Sequence, residues 1–431
     1  MNLLVTNIRE EQPYLILRCL RHEARRIVVT VDEGNLFRRW SGMSAWSRHV
    51  NKRYTVPDCS ADWQAGRIEP DNTPAEETYV RRIEQICRTE NIDTIFPSYD
   101  AEVFVFAKNK ERFSRQGITT VTPEYSAIAR LLDKSLTLQA AQKVGFPIPL
   151  SHTPSNREEL HSAVAGLAAP WVLKPRCNAH GANICLTNDI VELEKMFTRL
   201  NSIQERPLLQ EFITAQTKRN YYLLVSPELE VVSLFSPRVH RTRRISVRAP
   251  CAAVETTREV PFTREIRALV RELGAWGAMT VQTIVDERDG MPRLMEINPR
   301  FGHNLWYRTE MGINEPLIYL RLAQGRPAGD IPSFSEGVLL VDPLWDTLHL
   351  LGQCLDQGKT WLRTRFRNAE SVPTTFEADS IPQLLRAFKA EYFSRRPRVT
   401  SPLNRGYFSD PLPPLVRILR TLLEAVGRRL S

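Results

Sequence analysis

No segment of this chain reads GxGxxG or GxxxxGK(S/T), and the turn after its first apolar run, Thr6-Asn7-Ile8-Arg9-Glu10, holds no glycine. A Rossmann dinucleotide site and a Walker phosphate loop both need glycine there so that backbone can approach phosphate, and both are excluded. The seven cysteines, Cys19, Cys59, Cys87, Cys177, Cys185, Cys251 and Cys354, are scattered, odd in number and form no CxxC pair. That argues against a zinc site or a disulfide framework and for a reducing compartment, here the cytoplasm. No apolar run approaches the roughly 20 residues of a transmembrane segment. The opening residues Met1 to Asn7 read as a strand and lack the basic head and longer apolar core of a secretory leader. A Ser/His/Asp or Cys/His nucleophile pattern is missing, and so are internal repeats.

What is present is ordinary for a soluble globular protein, with 42% hydrophobic and 25% charged residues. The length of 431 residues predicts two or three domains. The net charge of +9 raises the question of nucleic acid. Its arginines are spread widely, no nucleic-acid module motif occurs, and aromatics do not interleave with a basic stripe. No nucleic-acid partner is therefore expected, and an anionic small molecule explains the charge as well. Part of the excess is local, since residues 391–431 carry eight arginines against Glu391, Asp410 and Glu424.

Apolar strands at 3–6, 26–31 and 94–97 alternate with helices at 13–22 and 76–89, a βαβ pattern that predicts a doubly wound sheet. One helix is expected over 126–144, ended by Gly145-Phe146-Pro147-Ile148-Pro149. Strands follow at 171–174 and 184–186, with a helix near 191–200. The stretch 207–302 is mainly β, with strands at 208–213, 221–225 and 231–235 and one helix at 263–273. The tail has expected helices near 345–357, 381–392 and 415–430, joined by a Pro/Arg-rich link at 395–406.

The richest stretch is Arg293-Leu294-Met295-Glu296-Ile297-Asn298-Pro299-Arg300-Phe301-Gly302. On a strand, side chains two apart share a face. Glu296 and Asn298 then converge as a hard, oxygen-seeking cation such as Mg²⁺ requires. Arg300 lies on the same side if the strand continues, where it could hold phosphate bidentately. A strand with a polar outer face gives the same pattern. The preceding run separates the two readings: residues 279–286 alternate toward Glu287-Arg288-Asp289-Gly290, a hairpin signal. Pairing across that turn would bring Gln282 beside Glu296 as a third oxygen ligand.

The order of several motifs resembles the ATP-grasp superfamily, in particular its carbamoyl-phosphate-synthetase-like, carboxylate-activating branch. The motifs are Leu132-Asp133-Lys134, Gly145 to Pro149, Val172-Leu173-Lys174-Pro175, Leu209-Gln210-Glu211-Phe212-Ile213, Val281-Gln282-Thr283, Met295 to Gly302 and Met311-Gly312-Ile313-Asn314-Glu315-Pro316. The resemblance covers roughly residues 1–330. It implies an α/β fold, with a Rossmann-like preATP-grasp domain over 1–118 and a two-subdomain α+β ATP-grasp unit over 119–332, its lid at about 150–207. An α-rich C-terminal appendage over 333–431 follows.

By the same resemblance Lys134 and Lys174 contact nucleotide phosphate, and Gln210, Glu211, Phe212 and Ile213 form the hinge whose backbone binds adenine. Gln282, Glu296 and Asn298 match the metal-ligand positions for Mg²⁺, with Mn²⁺ an alternative of the same preference. Arg300 and Lys174 are the catalytic candidates. The implied function is an ATP-dependent ligase that turns a carboxylate into an acyl phosphate and couples it to an amine, releasing ADP and phosphate. A carbamate or carboxylate kinase step with another acceptor, and a non-catalytic nucleotide-binding regulator, stay open.

Two departures are plain. The lid, Pro175-Arg176-Cys177-Asn178-Ala179-His180-Gly181-Ala182-Asn183, has one glycine where the family is glycine-rich. After the hinge, Thr217-Lys218-Arg219-Asn220 has no acid for the ribose, so that contact is either lost or supplied by Asn220. Arg238, Arg241, Arg243, Arg244 and Arg248 suggest an anionic substrate or, equally, a solvated charged loop. The last segment places Leu415, Ile418, Leu419, Leu422 and Val426 on one helical face with arginines elsewhere. Packing on the domain or a partner is its expected use, peripheral membrane contact the minority one. A homodimer is the default assembly.

Overall fold

The computed structural model describes residues 1–7, 11–33, 42–64, 66, 68–177, 183–215, 217–242, 251–302 and 304–342, with 346–347, 350, 382–383, 386, 410, 412–416 and 418–419 beyond them. The first layer runs β1 (Asn2–Val5), α1 (Glu11–Leu20), β2 (Arg26–Asp32), β3 (Lys52–Val56), α2 (Ala61–Gln64), α3 (Pro74–Glu90), β4 (Thr94–Phe96), α4 (Asp100–Lys108), α5 (Lys110–Ser114) and β5 (Thr119–Thr120). The strands are all parallel, in the order β3-β2-β1-β4-β5. Leu3, Leu4, Val5, Val28, Val29 and Ile95 are completely or nearly completely buried, as strands covered by helices on both faces require. α3 starts two residues before its expected position because Pro74 opens it and Thr73 and Glu76 form a reciprocal capping box.

Sheet order reverses between β1 and β4, so the crevice at the carboxyl ends of these strands is the natural ligand-facing edge. The chain fastens that edge with polar side chains. Ser98 Oγ donates to the Thr6 carbonyl at 2.6 Å, and Thr6 Oγ1 donates to Glu102 at 2.6 Å.

The helix expected over 126–144 is two, α6 (Tyr125–Leu132) and α7 (Lys134–Lys143). Asp133 is extended between them, and its carboxylate accepts from Ser135 N at 2.8 Å and Leu136 N at 3.4 Å. That cap starts a new helix and places Lys134 in its first turn. The next unit comprises β6 (Ser151–His152), α8 (Arg157–Ala165), β7 (Trp171–Lys174), β8 (Cys185–Thr187), α9 (Ile190–Ile203) and β9 (Leu208–Glu211). Its antiparallel sheet, β6-β9-β7-β8, packs Leu173 and Leu209 against Leu160, Leu193 and Phe197.

The remaining elements are β10 (Tyr221–Val225), β11 (Val231–Phe235), β12 (Arg238–Thr242), β13 (Cys251–Glu255), α10 (Thr263–Leu273), β14 (Gly277–Val285), β15 (Pro292–Asn298), α11 (Leu305–Glu310), α12 (Glu315–Ala323) and β16 (Leu339–Val341). They build two further antiparallel sheets, β11-β10-β14-β15 and β12-β13-β16. The second sheet is completed only by β16, so this unit extends past 332 into the stretch assigned to the appendage. The expected tail helices at 345–357 and 381–392 lie almost wholly outside the described residues.

An aromatic seam joins the first layer to the β14–β15 unit: Phe96 at the end of β4 stacks on Phe301 at 6.3 Å, and Tyr319 meets both edge-on. Gly277 opens β14 against that seam with φ +98°, and a Cβ there would lie 2.6 Å from the Tyr319 hydroxyl oxygen. Gly277→Ala is expected to cost about 2 kcal/mol, from the left-handed backbone and the overpacking together. A urea midpoint unchanged from wild type would refute this.

Candidate active site

The β14–β15 hairpin carries the polar face foreseen from the sequence. Gln282 stands directly opposite Glu296, and Thr280 opposite Asn298. Val281, Thr283, Leu294 and Ile297 point into the core. Gln282, Glu296 and Asn298 therefore share the other, half-buried face. A bulge between Gln282 and Thr283 skips Met295, which restores the alternation after Leu294. Asn298 Nδ2 faces Glu296 Oε1 at 3.5 Å.

Lys134 reaches the same carboxylate, with Nζ 3.6 Å from Glu296 Oε2. Its backbone N–H donates to the Arg176 carbonyl at 3.0 Å, and the Arg176 guanidinium pairs with Asp133 at 3.0 Å. The segment leaving β7 is thereby clasped to the start of α7. Lys174, buried at the end of β7, lies two residues before that clasp. Lid residues 178–182 lie outside the described residues. Asn183 follows them with φ 61°, a conformation asparagine takes more readily than most side chains. Cys177 is buried, and desolvation pushes its thiol up to about 12, which leaves it unreactive.

The hinge side chains fasten the strand to its neighbours. Gln210 Nε2 donates to Ser151 Oγ at 2.7 Å. Glu211 accepts from Leu150 N at 2.9 Å and pairs with Arg288 at 2.8 Å. Arg288 and Arg293 grip the buried Asp286 at the hairpin turn and hold its carboxyl well below the usual range, the Arg288 hydrogen bonds being the larger cause. Phe212 is half-buried and Ile213 buried. Asn220 is buried too, its oxygen accepting from Thr283 N at 3.2 Å, so its side chain braces β14.

Arg300 does not stand alone beside the hairpin. Its Nε and Nη2 donate to the two carboxylate oxygens of Asp100 at 2.9 and 2.8 Å, and Nη1 donates to the Phe301 carbonyl at 3.2 Å. Asp100 is the first residue of α4, immediately beyond β4 at the ligand-facing edge of the parallel sheet. Sequence reasoning missed Asp100. The available signal was its place after an apolar strand in Pro97-Ser98-Tyr99-Asp100. Of the arginines downstream, Arg241 is buried and bound by both oxygens of Asp346 at 2.5 and 3.0 Å, which makes it structural. Arg238 and His240 both face Glu255, at 3.9 and 2.8 Å. Arg243, Arg244 and Arg248 lie outside the described residues.

Comparison with known proteins bears on the fold that carries this geometry. The family model described as ATP-grasp in the biosynthetic pathway with Ter operon matches residues 237–342, and the PylC-like N-terminal domain matches residues 72–121. The N-terminal section of the carbamoyl phosphate synthase large chain of Aquifex aeolicus is 23% identical over 256 residues, covering 54% of this chain and 45% of that section. The chain spans less than half the length of the curated relatives it matches. Among solved structures, the biotin carboxylase domain dimer of Hydrogenobacter thermophilus 2-oxoglutarate carboxylase, in complex with MgADP, ADP and bicarbonate, has TM-score 0.59 and 15% identity over 94% of this chain and 97% of that one. The L-amino acid ligase of Bacillus licheniformis has TM-score 0.51 and 16% identity over 75% and 73%. The motif order and the hairpin register agree with these matches, which make the chain similar to the carbamoyl-phosphate-synthetase-like branch of the ATP-grasp superfamily.

Proposed function

We propose that the chain is an ATP-dependent ligase that activates a carboxylate as an acyl phosphate and couples it to an amine. The observation that carries this is the convergence of Gln282, Glu296 and Asn298 on one face of the hairpin with the Lys134 ammonium 3.6 Å from Glu296. One carboxylate and two amides are a hard oxygen donor set, which fits Mg²⁺ or Mn²⁺. A cation held there supplies neutralisation of phosphate charge. Lys134 and Lys174 hold the nucleotide phosphates, and the main chain of 210–213 takes the adenine. Arg300 offsets charge on the transferred phosphoryl group. The substrate carboxylate oxygen forms a bond to the γ-phosphorus as the bond to ADP breaks. The amine nitrogen then attacks the acyl carbon, phosphate leaves, and the amine gives up its proton.

Among the described residues no helix is long and apolar enough to cross a membrane. With the cysteine pattern this supports a cytoplasmic site for the reaction. The Hydrogenobacter domain is a dimer, and we extend that arrangement to this chain.

The test is ADP and phosphate release from Mg·ATP against pooled carboxylic acids, with and without pooled amines. Release that needs both pools is expected. Tight Mg·ATP binding without turnover in any pool would favour a nucleotide-binding regulator instead. The Arg300–Asp100 pair gives a second prediction. Asp100→Asn keeps the volume and removes the charge that orients the guanidinium. We expect kcat/KM for the acid to fall roughly 10–100-fold with Mg·ATP affinity unchanged, a misplacement effect. Loss of Mg·ATP binding in that variant would instead mark Asp100 as a purely structural tie.

A further inference from the structure

The end of the chain presents an apolar stripe beside a basic cluster. Residues 412–416 and 418–419 are helical. Val416 turns inward at 8% exposure, whereas Leu412, Leu415 and Leu419 stand 50%, 49% and 43% exposed. Their i, i+3, i+7 spacing puts these three leucines on one face. Single exposed leucines are unremarkable, but an aligned row calls for an occupant.

The foot of this segment is fixed. Asp410 is buried, and its carboxylate accepts from Ser47 Oγ at 2.5 Å and from Arg48 N at 3.0 Å. Around that anchor the field is positive. His49 lies within the influence of Arg21, Arg48 and Arg18, with Asp410 the acid among them. Arg21 and Arg48 are exposed, and Arg18 is half-buried. The sequence interleaves further arginines with the leucines, Arg417 and Arg420, then Arg428 and Arg429.

We propose that this stripe docks on the surface of a bilayer containing anionic lipid, with the leucines in the interface and the arginines on headgroup phosphates and carboxylates. Exposed leucines at helical spacing, in a sequence that interleaves them with arginines, are the composition of an interfacial anchor. Charge argues against a second copy as the occupant. A two-fold contact would set each arginine cluster against its own image in a protein of net charge +9. An exclusively electrostatic partner leaves the exposed leucines unused.

The experiment is co-sedimentation of the full chain with vesicles of phosphatidylcholine alone and of phosphatidylcholine with phosphatidylserine, at low and high salt. Binding is expected only to the anionic vesicles, weakening as salt rises. Leu415→Glu with Leu419→Glu should weaken it at least about tenfold, because each exposed leucine loses its apolar burial. Arg21→Glu or Arg48→Glu should each weaken it roughly fivefold or more. Thermal midpoint and Mg·ATP binding should match wild type in all of these variants, since none of the substituted side chains is buried. Failure of the wild-type chain to bind anionic vesicles overturns the proposal, as does full binding by the leucine double variant. A dimer in gel filtration that the leucine substitutions dissociate, without vesicle binding, would assign the stripe to self-association and overturn it equally.

Discussion

Glu296→Ala is expected to lower ATP turnover roughly 10³-fold while leaving the protein folded. The two parts of that expectation rest on different observations. Glu296 is the only acid of the hairpin donor set, so without it a divalent cation would keep two neutral amides and no charge to neutralise it. Lys134 would at the same time lose the Glu296 carboxylate as an ion-pair partner. ATP binding should then persist in part but lose its dependence on Mg²⁺, which calorimetry with and without the metal would read. The fold should survive because the side chain is about a third exposed and its ion pair spans 3.6 Å. A pair of that kind is worth no more than about 1 kcal/mol. Full turnover in Glu296→Ala would sink the proposed function. An unfolded variant would show instead that the carboxylate has a structural part that its exposure does not suggest.

The hairpin that carries this site was readable in the sequence because its information is local. Asp289-Gly290 sets the turn, alternation sets the faces, and register follows from both. The helix at 263–273 and the strands at 221–225 and 231–235 were legible for the same reason, each having its own period and its own turn residues. The misses share a different cause. β3 is an edge strand that opens with Lys52 and Arg53, so it lacks the apolar run that marks its parallel neighbours. β12 and β13 are completed by β16, more than eighty residues further on. The break at Asp133 is hidden because apolar residues recur across it; only the capping preference of the aspartate announces it. The partner of Arg300 lies 200 residues upstream in another layer, and no local pattern reports such a contact. Gln210 and Glu211 were identified as hinge residues acting through backbone, and no local pattern reported that their side chains hold the hinge to β6 and to the hairpin turn.

Arg308→Met is expected to destabilise the protein by about 3–5 kcal/mol at pH 8, with a deficit that shrinks as the pH falls toward 5. Arg308 in α11 and Glu315 at the start of α12 are almost completely buried and 2.8 Å apart. The guanidinium also donates to the Tyr222 carbonyl at 2.7 Å and lies over the rings of Tyr222 and Phe235. Burial pushes the Glu315 carboxyl up and the Arg308 guanidinium down, and each opposes that effect in the other. With methionine in place of arginine, Glu315 keeps the desolvation and loses the cation, so its folded-state value rises further. A carboxyl whose folded value exceeds its unfolded one binds more protons folded than unfolded, and stability falls as pH rises through that window. Below the unfolded value near 4.5 both states are protonated, and only the weaker penalty of a poorly bonded buried acid remains. Urea titrations of wild type and variant at pH 5 and pH 8 measure this directly. An equal deficit at the two values would show that Arg308 contributes packing rather than charge compensation. Arg308→Met combined with Glu315→Met removes both charges and should recover most of the loss at pH 8, because a buried ion pair and its apolar replacement are close in stability whereas a lone buried carboxylate is not.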